Sequence, residues 1–118
     1  MKSLLKILLN DNQLSGTIPL EIGRLFYLTH FSLAVNNLSG SIPKELAECS
    51  RLLFLNLSRN VLNGSIPSTI GSMQSLQSLD VSQNLLVGEI PQQLGGMNML
   101  ETLNLSHNNL SGSIIFVR

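Results

Sequence analysis

The sequence predicts an α/β repeat solenoid of about five 24-residue coils, with parallel strands on one face. The first observation behind this prediction is that asparagine recurs every 24 residues, at Asn12, Asn36, Asn60, Asn84 and Asn108. The second is that columns of Leu, Gly and Ile keep the same spacing, and the third is a 43% hydrophobic content in 118 residues. Because one copy cannot bury its own apolar face, the copies are predicted to stack and share a core.

Each copy reads L-x-x-L-x-L-x-x-N-x-L-x-G-x-I-P-x-x-L. The chain is therefore predicted to form one domain, residues 1–118, with repeats at about 1–24, 25–48, 49–72, 73–96 and 97–118. Proline follows isoleucine in four copies, whereas Ile115 stands in its place in the last.

Positions that stay apolar in every copy are predicted to face the interior. Two such columns lie two residues apart, which is the side-chain period of a strand, so L-x-L marks a short strand in each coil. These columns are Ile7/Phe31/Leu55/Leu79/Leu103 and Leu9/Leu33/Leu57/Val81/Leu105. Two further columns are predicted to close the back, namely Ile22/Leu46/Ile70/Leu94 and Leu25/Cys49/Met73/Met97. Cys49, the lone cysteine, is interpreted as a packing residue.

The repeated Asn, Gly and Pro have scaffold roles in this interpretation. An asparagine amide both donates and accepts, so a column of five predicts a structural ladder that satisfies loop backbone groups. Glycine four residues later suits a bend or a close approach between coils. Proline has no backbone N–H, and no hydrogen-bond donor is required at this position on the outer side of the coil.

The motif N-x-L-x-G-x-I-P resembles the plant-specific class of leucine-rich repeats found in receptor-like serine/threonine kinase ectodomains and receptor-like proteins, and the resemblance covers essentially the whole chain. It implies a right-handed superhelix with its strand sheet on the concave face. It also implies an extracellular glycoprotein at the apoplastic side of the plasma membrane, binding a peptide ligand or a co-receptor ectodomain in signal transduction. The paired-cysteine cap, the terminal cap, a transmembrane segment, a convincing signal peptide and the kinase domain are not recognisable in this sequence.

Specificity is expected in the variable columns of the strand face. The exposed columns are predicted to be Leu5/Thr29/Leu53/Gln77/Glu101, Lys6/His30/Phe54/Ser78/Thr102, Leu8/Ser32/Asn56/Asp80/Asn104, Asn10/Ala34/Ser58/Ser82/Ser106 and Asp11/Val35/Arg59/Gln83/His107. An exposed aromatic beside arginine, as at Phe54 and Arg59, is typical of an interaction hot spot, although single exposed apolar residues are ordinary. The candidate ligand-binding residues are His30, Leu53, Phe54, Arg59, Asp80, Gln83, Glu101 and His107.

Five N-x-S/T sequons make glycosylation candidates of Asn37, Asn56, Asn63, Asn104 and Asn109. The repeat motif itself contains N-L-S, so the number of sequons partly reflects the repetition. Glycosylation at these sites requires that the chain is secreted.

Other function classes are disfavoured by the sequence. Seven basic residues balance seven acidic ones, so the chain has no excess positive charge with which to attract nucleic acid or an anionic membrane. No apolar run approaches the roughly 18 residues of a membrane span. His30 and His107 are three coils apart, and no residues form a nucleophile pair, so an enzyme, a cofactor or a metal site is not expected.

The leading hypothesis is a non-enzymatic interaction module that recognises a peptide or another ectodomain. Two alternatives stay open: a structural spacer or truncated fragment with no ligand of its own, and an inhibitor of cell-wall-degrading enzymes resembling polygalacturonase inhibitors. Since repeat arrays need polar end caps for solubility, self-association through the uncapped ends is a further expectation.

Overall fold

The computed structural model describes residues 5–113, which form short strands and 3₁₀ helices in a regular alternation. The strands are β1 (Leu5–Leu8), β2 (Ser15–Thr17), β3 (Leu28–Ser32), β4 (Asn37–Ser39), β5 (Phe54–Asn56), β6 (Ser78–Asp80), β7 (Val87–Glu89), β8 (Thr102–Asn104) and β9 (Asn109–Ser111). The 3₁₀ helices are Leu20–Arg24, Lys44–Glu48, Ser68–Ser72 and Gln92–Gly96.

The main sheet is parallel and runs β1-β3-β5-β6-β8, one strand per coil. Phe31 pairs with Leu55, Leu55 with Leu79 and Leu79 with Leu103, so neighbouring strands are offset by one 24-residue repeat. The predicted parallel sheet is confirmed. In β5, β6 and β8 the first apolar residue of the L-x-L position lies inside the strand, and the second, which is Val81 after β6, follows directly after it.

A second set of strands, on the flank of four of the five coils, was not predicted. β2 pairs with β4, and β7 pairs with β9, both in parallel. The third coil continues the same pattern of hydrogen bonds between these pairs, because the Val61 N–H donates to the Leu38 carbonyl at 2.9 Å and the Leu85 N–H to the Leu62 carbonyl at 2.8 Å. Each coil is therefore tied to its neighbour along two edges.

One continuous apolar core runs through the stack. The predicted interior columns are buried in the middle coils, where Leu55 and Leu57 are 0% exposed. Their counterparts in the first coil are less covered, since Ile7 is half-buried and Leu9 is 44% exposed. Burial thus comes from the neighbouring coils on both sides, as expected for a repeat array.

The back of each coil is a five-residue 3₁₀ helix preceded by proline in extended conformation, at Pro19, Pro43, Pro67 and Pro91. A 24-residue coil that also contains two strands and two turns leaves only a short segment here, and short segments favour the tighter 3₁₀ form. The helices approach closely at Gly71, where an added Cβ would lie 2.8 Å from the backbone carbonyl oxygen of Gln93. A larger side chain at this position would push the coils apart.

The repeated asparagines bond each coil to the one before it. In the third coil, Nδ2 of Asn60 donates to the carbonyl of Leu33 in the preceding coil at 3.0 Å, and to the carbonyls of Leu57 and Ser58 in its own coil at 3.2 and 3.1 Å. Its Oδ1 accepts from the Leu38 N–H at 3.0 Å. Asn36, Asn84 and Asn108 make the equivalent bonds to the coils before them.

Candidate functional site

The candidate site is the strand face, defined as the surface of the main sheet and of the turns that follow its strands. Among the predicted ligand-binding residues, His30, Leu53, Phe54 and Asp80 are half-buried, whereas Arg59, Gln83, Glu101 and His107 are exposed. His30 and Phe54 pair in register across β3 and β5. Their rings are stacked with centroids 6.0 Å apart and planes at 29°. The sheet thus places two aromatic rings side by side on this face.

Phe54 and Arg59 line one shallow depression of about 430 Å³ on the strand face, hereafter the strand-face depression. It spans the first three coils and is lined by Leu8, Asn10, Asp11, Ser32, Ala34, Val35, Phe54, Asn56, Ser58 and Arg59. The lining combines an aromatic ring, aliphatic side chains, one arginine and, at its first-coil edge, the carboxylate of Asp11. Such a surface can bury an apolar side chain and pair an acidic group at the same time.

A larger groove of about 910 Å³ lies between the flank strands and the 3₁₀ helices. Its lining repeats from coil to coil, with Ile18 and Pro19 matched by Ile42 and Pro43 and with Thr17 matched by Ser41 and Ser65. Residues of the repeat template explain this lining, whereas the strand-face depression is lined by residues that differ between coils. The variable surface is therefore the better candidate for specific recognition.

The residue before each repeated asparagine has a left-handed backbone conformation. The φ angles are +61° at Asp11, +59° at Val35, +56° at Arg59, +55° at Gln83 and +56° at His107. This turn directs the chain from the main sheet toward the flank strands. The sequence did not reveal it, because Val35, Arg59 and Gln83 disfavour positive φ, whereas Asp11 and His107 tolerate this conformation without requiring it.

Among these five residues, Val35 has the least favourable backbone conformation, because a β-branched side chain at positive φ is strained. Replacing it with asparagine, which tolerates this conformation, is expected to raise the free energy of unfolding by about 1 kcal/mol. Thermal or urea unfolding of the Val35→Asn chain measures the change. Unchanged or lower stability would show that the packing of Val35 outweighs the backbone strain.

The Asp80 side chain stabilises the turn that follows β6, in addition to its predicted role in binding. Its Oδ1 accepts from the Ser82 N–H at 3.0 Å and from the Ser82 hydroxyl at 2.7 Å. Oδ1 of Asn104 accepts the same pair of bonds from Ser106, and Oδ1 of Asn56 accepts from the Ser58 N–H at 3.0 Å. These side chains fix the turn at the end of each strand. The acidic character of Asp80 is thus partly satisfied within its own turn.

Several positions predicted to be exposed on the strand face are buried, and the prediction is wrong for them. They are Thr29, Ser32, Ala34, Ser58 and Ser82, each 3–7% exposed. In the column Asn10/Ala34/Ser58/Ser82/Ser106, only the two end members are exposed. Ser32, Ala34, Ser58 and Ser82 are small side chains at the strand exits and are covered by the coils on either side. Thr29, near the start of β3, donates from its hydroxyl to the Leu5 carbonyl at 3.3 Å.

Cys49 is a buried free thiol whose Sγ donates to the Ile22 carbonyl at 3.2 Å. Desolvation by burial, together with the nearby negative charge of Glu48, raises the pKa of this thiol. A thiol held in its protonated form is a poor nucleophile, which accords with a packing role.

Residues 5–113 contain no group of three or more His, Cys, Asp or Glu side chains that could hold a metal ion. None of the helices in the described part of the chain is long and apolar enough to cross a membrane. Of the sequon asparagines, Asn37, Asn63, Asn104 and Asn109 are exposed and Asn56 is half-buried on the strand face.

A family model described as "Leucine rich repeat" matches residues 65–110. A second family model, described as "Leucine Rich Repeat", matches residues 3–25, 27–49 and 51–73. No curated protein matches the chain significantly.

Solved structures similar to the chain include plant receptor ectodomains. The BIR2 ectodomain from Arabidopsis thaliana is 39% identical with a TM-score of 0.86, over 89% of this chain and 55% of that one. A chain of the Arabidopsis BIR3–SERK2 complex is 40% identical with a TM-score of 0.87, over 92% and 58%. The ectodomain of the Arabidopsis receptor kinase HAESA, in complex with an IDA peptide hormone, is 38% identical with a TM-score of 0.84, over 86% and 18%. The chain thus spans little more than half of the shorter ectodomains and a fifth or less of the longest. The matched structures are non-catalytic ectodomains, and the chain has their leucine-rich repeat fold.

Proposed function

The chain belongs to the leucine-rich repeat family, in the form found in plant receptor kinase ectodomains, and from this premise we propose that its strand face binds a peptide or another leucine-rich repeat ectodomain. The observation that carries the proposal is the strand-face depression, where an aromatic ring and a cation share one lining. Two of the similar solved chains occur in complexes of these kinds, one with a peptide hormone and one between BIR3 and SERK2.

Backbone strain supports the same surface. Val35 lines the depression, is 38% exposed and holds a β-branched side chain at positive φ. The positive φ recurs at this position in every coil and belongs to the scaffold, so only the choice of a β-branched residue here is specific to this surface. Contact with an apolar group of the ligand would account for a valine at position 35, whereas folding alone does not.

The charges along the face favour a ligand with an orientation. The first three coils present Leu8, Val35 and Phe54 beside Arg59, with Asp11 two strands away from Arg59, whereas the later coils present only the acidic Asp80 and Glu101 among their charged candidate residues. An extended peptide that crosses the strands is therefore expected to place an apolar and an acidic side chain in the depression. A basic side chain would then lie toward the later coils, where opposite charges fix register more than they add affinity.

Selection of random twelve-residue peptides displayed on phage, with the 118-residue chain immobilised, tests the proposal. Peptides that bind the natural chain are expected to bind Phe54→Ala and Arg59→Glu at least about tenfold more weakly, as for hot-spot residues. Leu85→Ala and Arg24→Glu are the matched controls, because both residues are exposed and lie outside the strand-face depression. Circular dichroism confirms that each variant is folded.

Two results would overturn the proposal. Selected peptides that bind Phe54→Ala and Arg59→Glu as well as the natural chain would place recognition elsewhere. Failure to select any peptide, together with no binding to a leucine-rich repeat ectodomain such as SERK2, would favour the spacer function.

The same premise extends to location. We place the domain on the extracellular side of the plasma membrane as part of a signalling glycoprotein, with glycans on exposed sequons such as Asn37, Asn63 and Asn109. A glycan on Asn56 would cover the depression that this residue lines. Expression as a secreted chain in plant cells, with glycosidase treatment and peptide mass mapping, tests the glycan statement, and absence of glycans from the secreted chain would contradict it.

A further inference from the structure

An apolar patch lies on the outward side of the flank in the third and fourth coils. It consists of Val61, Leu85 and Val87, which are 38%, 59% and 45% exposed and are hereafter called the flank patch. The alternate residues Leu62 and Leu86 are 0% exposed, so these three side chains point away from the core. A group of exposed apolar residues on one surface is typical of a site that another group covers.

The flank patch occurs where the sequence departs from the repeat. The second and fifth coils read N-N-L-S-G at 36–40 and 108–112, so asparagine and serine occupy their outward flank positions. The third coil reads N-V-L-N-G at 60–64, and the fourth reads N-L-L-V-G at 84–88. Apolar residues therefore stand in place of asparagine and serine in these two coils. The third coil also has an additional asparagine, Asn63, at the position of the serine.

Asn63 belongs to a sequon that the repeat does not explain. The sequons of Asn37, Asn56, Asn104 and Asn109 all read N-L-S, whereas that of Asn63 reads N-G-S. Asn63 is exposed, and within residues 5–113 its side-chain amide makes no hydrogen bond. By contrast, Oδ1 of Asn56 and Oδ1 of Asn104 each accept a bond in the turn after their strands. The Asn63 side chain is therefore available for modification.

Asn63 lies next to two members of the flank patch. The Leu85 N–H donates to the Leu62 carbonyl at 2.8 Å, and the Val87 N–H donates to the Gly64 carbonyl at 2.9 Å. Because Leu62 and Gly64 are the chain neighbours of Asn63, the fourth coil runs alongside Asn63 at about one strand spacing, ~4.8 Å. A group attached to Nδ2 of Asn63 therefore reaches the side chains of Leu85 and Val87.

We propose that the N-glycan on Asn63 covers the flank patch, with its first N-acetylglucosamine packed on Leu85 and Val87. The proposal rests on the extracellular glycoprotein proposed above. The new bond joins Nδ2 of Asn63 to the anomeric carbon of a lipid-linked oligosaccharide diphosphate, while Nδ2 loses a proton and the lipid diphosphate leaves. A patch covered in this way is closed to a protein partner.

The chemistry of the flank patch fits an uncharged sugar. The two columns of outward residues that contain it have no charged side chain, namely Gln13/Asn37/Val61/Leu85/Asn109 and Ser15/Ser39/Asn63/Val87/Ser111. An N-acetylglucosamine ring presents C–H groups on its face and an acetamide methyl group, which cover aliphatic side chains while its hydroxyls stay in water. Removal of this apolar area from water is expected to stabilise the folded chain.

Unfolding temperatures of secreted chains test the proposal. Ser65→Ala removes the sequon of Asn63, and Ser111→Ala in every sample removes that of Asn109, which pairs with Val87. The chain with a glycan on Asn63 is expected to unfold about 3–5 °C above the Ser65→Ala chain, as for partial burial of aliphatic side chains in a domain of this size. Leu85→Ser should reduce this difference by more than half, because the double-mutant cycle isolates the contact between the sugar and Leu85.

Matched controls separate the glycan from other effects. Leu20→Ser, at a 53% exposed position on a 3₁₀ helix, should leave the temperature difference unchanged. Bacterial expression gives the same chains without glycans, and Ser65→Ala should then leave the unfolding temperature unchanged. Peptide mass spectrometry shows whether Asn63 carries a glycan. A nuclear Overhauser effect between the acetamide methyl of the first sugar and the Leu85 methyl groups is expected, and this measurement does not depend on the folding of a variant.

A temperature difference that Leu85→Ser leaves unchanged, or absence of the Overhauser effect, would overturn the proposal while the glycan on Asn63 stands. A secreted chain without a glycan on Asn63 would overturn the proposal together with the glycosylation proposed for this residue. Peptide binding at the strand-face depression is independent of both results, since Asn63 and Leu85 lie outside that depression.

Discussion

Replacing Asn60 with alanine is expected to lower the free energy of unfolding by about 2–4 kcal/mol, because buried backbone groups then lose hydrogen-bond partners at no gain elsewhere. Asn60 is 7% exposed and makes four bonds to backbone groups of two coils. The Leu38 N–H is the most affected group, since Oδ1 of Asn60 is its acceptor at 3.0 Å. The carbonyls of Leu33 and Ser58 keep other donors, namely the amide of Asn36 and the N–H of Val35.

Asn12→Ala is the matched control for this prediction. Asn12 occupies the same column but is exposed, and its amide bonds only the carbonyls of its own coil. Its replacement is expected to cost less than about 1 kcal/mol, as for an exposed neutral hydrogen bond. Urea denaturation of both variants measures the difference, and equal losses would show that the bonds between coils contribute little to stability.

Leu57→Ala is expected to cost about 3–5 kcal/mol, which is the range for removing a fully buried leucine side chain from a packed core. Leu57 is 0% exposed and belongs to the column that also contains Leu33 and Val81. The alanine variant leaves a cavity between three coils, and the short strands on either side have little freedom to close it. Denaturant unfolding of the full chain gives the change.

Leu9→Ala tests whether burial by neighbouring coils causes that cost. Leu9 holds the same position in the first coil but is 44% exposed. Its replacement is expected to cost less than half as much, because fewer contacts and less buried area are lost. Should both variants lose the same stability, the core would not be shared between coils in the way the structure indicates.

Strict spacing allowed much of the fold to be predicted from the sequence. Residues that are 24 apart, such as Leu55 and Leu79, must occupy equivalent places in a stack, and an apolar residue in every copy must face the interior. These two steps predicted the parallel sheet and the interior columns. They require no knowledge of backbone angles, which explains their success.

Local backbone conformation was not predictable in the same way. The flank strands contain residues such as Ser15 and Thr17, whose pattern does not distinguish a strand from a loop. The positive φ at Arg59 and Val35 is imposed by the tertiary structure on residues that disfavour it. The back segment is a five-residue 3₁₀ helix because the strands and turns of the coil leave room for only a short segment. Hydrophobic periodicity does not encode this limit.

The candidate site was partly predictable for the same reasons. Column analysis brought Phe54 and Arg59 to one surface, and both line the strand-face depression. It could not show that His30 stacks on Phe54 or that Asp80 bonds Ser82, since both depend on side-chain geometry. It also could not show that Ser58 is buried by the neighbouring coils.

Amide hydrogen exchange of the Asn60→Ala variant tests the central claim most directly, namely that the asparagines tie coil to coil. The Leu38 N–H donates to Asn60, whereas the Leu62 N–H donates to Asn84, which the substitution leaves in place. General destabilisation would accelerate exchange at both amides alike. We predict that Leu38 loses markedly more protection than Leu62, and equal protection of the two amides would contradict the account.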